Sequence, residues 1–310
     1  MTELHRKYRP KTLDEVVGQP DAVKVLEKWI EKDKVPHAVL FTGPSGTGKT
    51  TLARIMAKHV GCNRKWDLRE IDCANLGNVD TVRSMREKMS LKAMKGTARV
   101  YIIDEAHALR RDPQTVMLKM LEEPPPHVYF FLATTDPAKL LTTIKTRCST
   151  VKTRLLSEKE IMDRVKYVAK AEKNKQDEVV VKKIAVIAEG SARRALVLLG
   201  QVIDLESEED KLDALSKADA EKHGFDIAKA IFDIRSTYAD VQTLLKQVED
   251  EPETVRRIIL SYATTILLGS GKMHKRAYDV IQIFRDNFFD AGSGKALLTA
   301  CCFEAKQGTH

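Results

Sequence analysis

Gly43-Pro44-Ser45-Gly46-Thr47-Gly48-Lys49-Thr50 is a complete phosphate-binding loop, and Thr51 leads from it into a helical segment. A loop that wraps a polyphosphate must turn backbone N–H groups inward at φ values that a Cβ resists, hence the recurring glycine. Upstream, Ala38-Val39-Leu40-Phe41 is the short apolar run expected of a buried strand, and downstream Thr50 to Lys58 places Leu52, Ile55 and Met56 on one helical face. This strand-loop-helix order is the context the motif demands. Within it Lys49 is suited to reach the β and γ phosphates and Thr50 to offer its hydroxyl to Mg²⁺. The helix N-terminus turns its positive dipole toward the anion.

The run Val100-Tyr101-Ile102-Ile103 ends in Asp104-Glu105 and supplies the acidic half of such a site. Asp104 is suited to hold the metal through water, and Glu105 to activate an attacking water. ATP with Mg²⁺ is the implied ligand, and its hydrolysis the implied reaction. Asp104-Glu105-Ala106-His107 also matches a helicase box, so these two motifs alone leave a translocating helicase open.

Short apolar runs at Ala38–Phe41, Leu68–Ile71, Val100–Ile103, Val128–Ala133 and Thr150–Thr153 alternate with helical segments, the pattern of a parallel sheet covered on both faces. The fold class expected is α/β. Ligands of such sheets bind at the carboxyl ends of the strands, where the loop after Phe41, the acids after Ile103 and Thr134-Thr135 all fall. After Leu156 the strand signal stops. Ser157 and Glu160 form a capping box, a second helix of about Val179 to Ala188 stops at Gly190, and a third runs from Ser191 to about Ile203. The acidic stretch Asp204 to Asp213 reads as a loop or linker. From about Asp219 onward the periodicity is helical, with Pro252 suited to a helix start and Gly269-Ser270-Gly271 to a break. Three domains are expected: 1–155, a nucleotide-binding sheet domain; 156–215, a small helical domain; and 216–310, an all-helical packing domain.

The 310 residues, 43% hydrophobic and 31% charged, have the composition of an ordinary soluble protein. The start, Met1-Thr2-Glu3-Leu4-His5-Arg6-Lys7, carries no apolar signal region, so a cytoplasmic location is expected. The stretch Ile258 to Leu268 is well short of the ~20 residues a bilayer requires, so no membrane association is expected. Cys62, Cys73, Cys148, Cys301 and Cys302 show no paired C-x-x-C spacing, and the last two read as structural thiols on an apolar helix face. Residues 1–155 hold 28 Lys/Arg against 18 Asp/Glu, a balance of +10, whereas residues 156–310 hold 24 against 26, a balance of −2. A basic nucleotide-binding module of this kind suits a polyanionic partner, with nucleic acid the obvious candidate and a merely solvated surface the alternative.

Arg6-Lys7-Tyr8-Arg9-Pro10, Val16-Val17-Gly18-Gln19, the phosphate loop, Asp104-Glu105-Ala106-His107, Leu121-Glu122-Glu123-Pro124-Pro125, Leu132-Ala133-Thr134-Thr135-Asp136 and Thr146-Arg147-Cys148 occur in that order. The series resembles the clamp-loader ATPases of the AAA+ superfamily, which include the gamma/tau subunits of bacterial DNA polymerase III and the small subunits of replication factor C. The resemblance covers nearly all of residues 4–204. It implies a helical lid for 156–215 and a helical collar, used for oligomerisation, for 216–310. Arg9, Pro10, Val17 and Gly18 would border the adenine. Thr135 matches the sensor-1 position, and Arg147 the arginine finger that enters a neighbouring subunit's site, where such a finger raises hydrolysis by ~10³–10⁵. Arg193 matches sensor 2, reaching the nucleotide from the lid of its own chain.

The resemblance further implies a pentameric ring with other loader subunits, a sliding clamp and primer-template DNA as partners. Arg83, Arg86, Lys88, Lys92, Arg110 and Arg111 are the candidate DNA contacts. Two departures stand out. Only Cys62 and Cys73 lie where the bacterial subunit carries a four-cysteine zinc module, so no zinc is expected, and Thr146 replaces the family's usual Ser. The compact length suits a phage-encoded loader acting in a bacterial host. A branch-migration motor of the same superfamily and a catalytically silent loader subunit remain the alternatives.

Overall fold

The computed structural model describes residues 3–76, 79–248, 252–271, 273–288 and 294–307; Met1 and Thr2 of the N-terminal stretch lie outside them. The apolar runs of the first half form five strands: β1 (Ala38–Thr42), β2 (Leu68–Asp72), β3 (Arg99–Asp104), β4 (Val128–Thr134) and β5 (Ser149–Lys152). They make one sheet in the order β2-β3-β4-β1-β5, and every pairing is parallel. Side chains alternate between the two faces, as the pleat requires. Val39 and Phe41 of β1, Val100 and Ile102 of β3, and Phe131 and Ala133 of β4 pack with Leu26, Leu52, Ile55 and Met56. Those partners come from the helices Pro20–Glu31 and Lys49–His59. Leu40, Tyr101, Ile103, Phe130 and Leu132 face the other way, onto Val82, Met85, Met117, Leu121 and Ile144. These belong to the helices Val79–Met89, Arg111–Glu122 and Thr142–Arg147. The strands β1, β3 and β4 are therefore apolar along nearly their whole length because both faces are covered.

The sheet puts the C-terminal ends of β1, β3 and β4 side by side, with β1 between β4 and β5. Gly43 N–H donates to Thr134 O (3.3 Å) and Thr153 N–H to Thr42 O (2.7 Å), so the loop after β1 is tied to both neighbouring strand ends.

Beyond the sheet, the helix Glu158–Ala171 opens with the expected capping box of Ser157 and Glu160. The helices Glu178–Ile187 and Ala192–Val202 follow, the latter capped by Ser191. These three helices pack with the sheet module into one compact unit, Met1–Ile203, and the second unit comprises Asp204–His310. The expected boundary at 155/156 therefore lies inside one unit. The boundary expected at 215/216 falls within a continuous helix, Glu208–Phe232. The linker read at Asp204 to Asp213 is accordingly corrected from Ser207 onward. The Ser207 hydroxyl accepts the Asp210 N–H, and Glu208, Glu209 and Asp210 occupy a first turn whose dipole favours acids.

The second unit is built from Glu208–Phe232, Tyr238–Lys246, Pro252–Leu268, His274–Ile283 and Gly294–Gln307 around Ile227, Ile231, Ile259, Val280, Phe284 and Leu298. Pro252 does begin a helix, and Gly269 to Gly271 lie in a break. Arg256, on the helix Pro252–Leu268, donates to both carboxylate oxygens of Glu253 (2.7 and 2.8 Å) and to Phe284 O (2.7 Å); Glu253 also accepts the Phe288 N–H (2.9 Å). No helix among the described residues is long and apolar enough to cross a membrane.

Candidate functional site

The loop after β1 keeps its shape through contacts far away in sequence. Gly43 has φ +147, and a Cβ there would lie 2.3 Å from both the carbonyl and hydroxyl oxygens of Thr153. Gly46 has φ +76, and its Cβ would lie 2.0 Å from Ser191 Oγ. Both positions thus need glycine for two reasons, a left-handed backbone and the absence of room. Thr47 closes the turn by donating to Pro44 O (2.8 Å), and its hydroxyl meets the Thr153 hydroxyl at 2.7 Å.

Lys49 begins the helix at the end of the loop, and its ammonium donates to Gly43 O (2.8 Å) and Pro44 O (2.7 Å). It is buried, and burial lowers its pKa against the opposing pull of Glu105 and Asp104. A buried cation arched across the loop mouth is poised to exchange carbonyls for phosphate oxygens. Next to it the Thr50 hydroxyl donates to Asp104 Oδ2 (2.8 Å), across the gap between β1 and β3. A hydroxyl and a carboxylate meeting beside a phosphate cradle are the hard oxygen donors that Mg²⁺ takes, so the residues fit that ion.

Glu105 follows Asp104 in a left-handed conformation (φ 48, ψ 45) that ends the strand and turns its side chain aside. Its Oε2 accepts from the Thr135 hydroxyl (3.3 Å) and lies 3.2 Å from His107 Nδ1. One pocket within the first unit is lined by Ser45 to Leu52, Asp104 and Glu105, by Arg9, Pro10 and Val17 from the N-terminal segment, and by Arg193 from the helix Ala192–Val202. The phosphate loop, the acidic pair, the N-terminal segment and Arg193 thus meet at the same cavity, while Thr135 is not among its lining residues and reaches it only through Glu105. Gly18 lies in the turn beside it, at φ +66, where a Cβ would press on Leu156 and Glu160.

Several contributors were not legible beforehand. Gln19, buried and at φ 63, sends its amide to Arg154 O (2.6 Å) and Thr47 O (3.4 Å) and accepts the Arg154 N–H (2.9 Å). It clamps the N-terminal segment to the phosphate loop and to the strand end beyond β5. The only signal was its place beside Val17-Gly18. His5, Tyr8, Leu156 and Arg164 also line the cavity, and Arg164 donates to Tyr8 O. Tyr8 stands inside the quoted motif Arg6 to Pro10, but nothing in the local sequence marks the other three.

Arg147 is elsewhere. It ends the helix Thr142–Arg147, is exposed, and pairs with Glu122 while donating to Thr143 O (2.9 Å). It is not among the residues lining its own chain's pocket. Arg83, Arg86, Lys88, Lys92, Arg110 and Arg111 are all exposed. The first three lie on the helix Val79–Met89, which packs against Arg111–Glu122. Cys73 is buried, which pushes its thiol up to about 12, and Cys62 is raised by burial to about 11. No group of three potential metal ligands from His, Cys, Asp and Glu occurs among the described residues.

A parallel sheet in this strand order, with a phosphate loop, an Asp-Glu pair and a helical module bearing Arg193 on one cavity, defines the AAA+ class of P-loop proteins. The solved structures that are similar include the Thermotoga maritima RuvB Holliday junction branch migration motor, 22% identical with a TM-score of 0.60, covering 89% of this chain and 98% of that one. A single-substitution variant of the same motor is 24% identical with a TM-score of 0.60, over 83% of this chain and 91% of that one. At such identity the likeness speaks for the fold alone.

The family model described as DNA polymerase III, delta subunit, matches residues 18–77 and 69–157. DNA polymerase III subunit tau of Bacillus subtilis is 33% identical over 290 residues, 85% of this chain and 51% of that protein. Subunit gamma of Buchnera aphidicola (subsp. Schizaphis graminum) is 37% identical over 222 residues, 65% of this chain and 61% of that protein. Subunit tau of Escherichia coli is 36% identical over 220 residues, 64% of this chain and 34% of that protein. The chain is thus similar to the gamma/tau subunits of DNA polymerase III, which supports reading it as an AAA+ clamp-loader subunit. It spans from about a third to three fifths of the length of these relatives.

Proposed function

We propose that this chain is an ATP-hydrolysing motor subunit of a sliding-clamp loader. ATP binding closes a pentameric ring of subunits on primer-template DNA while the clamp is held open, and hydrolysis releases the closed clamp on DNA. The observation that carries this reading is the convergence of Lys49, the Thr50–Asp104 pair and Glu105 on one cavity in a chain 33% identical to a polymerase III tau subunit.

Lys49 leaves the carbonyls of Gly43 and Pro44 to bind the β and γ phosphates, and the loop N–H groups hold the phosphate oxygens. Thr50 and Asp104 would hold Mg²⁺, which when bound neutralises charge on the phosphates. Glu105 orients and activates the attacking water, Thr135 positions it as sensor 1, and Arg193 reads the nucleotide as sensor 2. Arg9, Pro10 and Val17 border the adenine, with Gly18 shaping their turn. Arg147 serves the neighbouring subunit's site, which agrees with its place outside its own pocket. The exposed cations Arg83, Arg86, Lys88, Lys92, Arg110 and Arg111 meet DNA phosphates, so binding is sequence-independent and weakens with salt.

The test is steady-state ATP hydrolysis by the chain, alone and with a clamp and partner subunits, with and without primed DNA, at two salt concentrations. Joint stimulation by clamp and primed DNA that falls with salt is expected. Turnover indifferent to DNA would overturn the loader reading, and no turnover in any combination would overturn the motor reading. Lys49→Ala should lose nucleotide binding, and Glu105→Gln should bind ATP without turning it over.

A further inference from the structure

The strand β4 ends in Thr134, whose side chain is fully buried, and its hydroxyl accepts the Asp136 N–H (3.1 Å). The same hydroxyl lies 3.1 Å from His107 Nδ1, and that nitrogen lies 3.2 Å from Glu105 Oε2. A carboxylate has no proton to give, so the approach to Glu105 is favourable when Nδ1 carries a proton. Nδ1 makes its hydrogen bond with the Thr134 hydroxyl and lies beside the Glu105 carboxylate in a close ion contact. Thr135, the next residue of the chain, donates to the same Oε2 (3.3 Å). A hydroxyl donor and the imidazole nitrogen therefore flank one carboxylate oxygen, and Oε1 has no hydrogen bond or ion pair among the described residues.

We infer that His107 is a positioning residue for Glu105: it fixes the carboxylate so that Oε1 alone faces the incoming water. The inference rests on the proposed hydrolytic role of Glu105. Glu105 stands at the end of β3 in a left-handed turn with its side chain 35% exposed, so without a tether the carboxylate has rotamers pointing to solvent. Thr135 alone is a weak tether at its distance. His107 adds a second anchor and connects Glu105 to β4, whose Thr134 carbonyl accepts the Gly43 N–H of the phosphate loop (3.3 Å). The water-activating group, the sensor strand and the loop are thus joined by a short run of polar contacts.

A complete general base contributes about 10²–10⁴-fold, and a mispositioned one forfeits part of that. His107→Ala should lower kcat roughly tenfold to a hundredfold while ATP affinity and KM stay within about twofold. His107→Asn carries an amide nitrogen where Nδ1 stands and should recover most of the loss, whereas His107→Gln, whose amide falls at the Nε2 position, should not. The measurement is steady-state and single-turnover ATP hydrolysis by the full chain, with ATP affinity by titration and the thermal midpoint of each variant. Should the alanine variant fail to fold, the Asn-against-Gln contrast carries the test. Unchanged kcat, equal losses in kcat and affinity, faster turnover, or Asn no better than Gln would each overturn the inference. Glu105→Gln is the control: if it keeps turnover, the hydrolytic reading of Glu105 itself has failed, whereas its loss beside a normal His107→Ala refutes the positioning role alone.

Discussion

Replacing Gly46 by Ala should damage the first unit through two separable effects, and the structure assigns a magnitude to each. At φ +76 an alanine pays the left-handed penalty of about 1–2 kcal/mol. Its Cβ would also stand 2.0 Å from Ser191 Oγ and 3.1 Å from Ser191 Cβ. The hydroxyl can rotate away, but it then leaves the Arg194 N–H that it caps at 3.3 Å, a loss of about 1 kcal/mol. The total expected is about 2–3 kcal/mol. Ser191→Gly alone should cost only a few tenths of a kcal/mol, because glycine is an acceptable N-cap. In the double variant the clash is gone and only the backbone penalty remains, so the two changes should couple favourably by about 1 kcal/mol. Urea unfolding of the nucleotide-free chain reports this directly, since Trp29 and Trp66, the two tryptophans, both lie in the first unit. Strict additivity, with coupling below about 0.4 kcal/mol, would refute the reasoning.

Other outcomes are expected on similar grounds. The Arg256 guanidinium holds Glu253 at a pKa of about 2, with the Phe288 N–H and Arg257 assisting. A depressed carboxylate stabilises above its unfolded pKa, near 4.3, so this contribution is present at neutral pH and lost as pH falls from about 4.5 toward 2. Arg256→Met should destabilise the second unit by about 3 kcal/mol and flatten that acid dependence, both read from urea midpoints followed by ellipticity at 222 nm. In an assembled ring Arg147→Ala should keep ATP binding and lose DNA-stimulated hydrolysis by about 10³-fold or more. Glu122→Gln should change the same rate by no more than roughly fivefold, because an exposed ion pair such as Arg147–Glu122 holds only about 0–1 kcal/mol. A larger gain on releasing Glu122 would mean that the pair restrains the finger.

The strands were legible because a sheet covered on both faces leaves an apolar run at each strand, and β1, β3 and β4 are buried along nearly their whole length. The edge strand β2 has only Leu68 and Ile71 partly buried, and those two apolar residues are what mark it in the sequence. The phosphate loop and Asp104-Glu105 carry their chemistry in consecutive residues, so one sequence suffices to find them. What escaped depends on contacts between distant positions. Gln19 acts through its amide on residues 28 and 135 positions away, and no local rule marks a glutamine for that. His107 was quoted within its motif without a role, because its partner Thr134 lies across the sheet. Charge alone makes the acids after Asp204 resemble a linker, whereas Ser207 with an acid three residues on is a helix-start signal.

The phosphate loop is gauged against Thr153 and Ser191, neither of which is near it in the chain. On a ribosome the eight-residue signature emerges early, but the surfaces that set its curvature emerge more than a hundred residues later. ATP competence is therefore acquired late in translation, when the helix capped by Ser191 has docked. A nascent chain arrested before that point should expose a loop of the right composition and the wrong shape, unable to retain nucleotide.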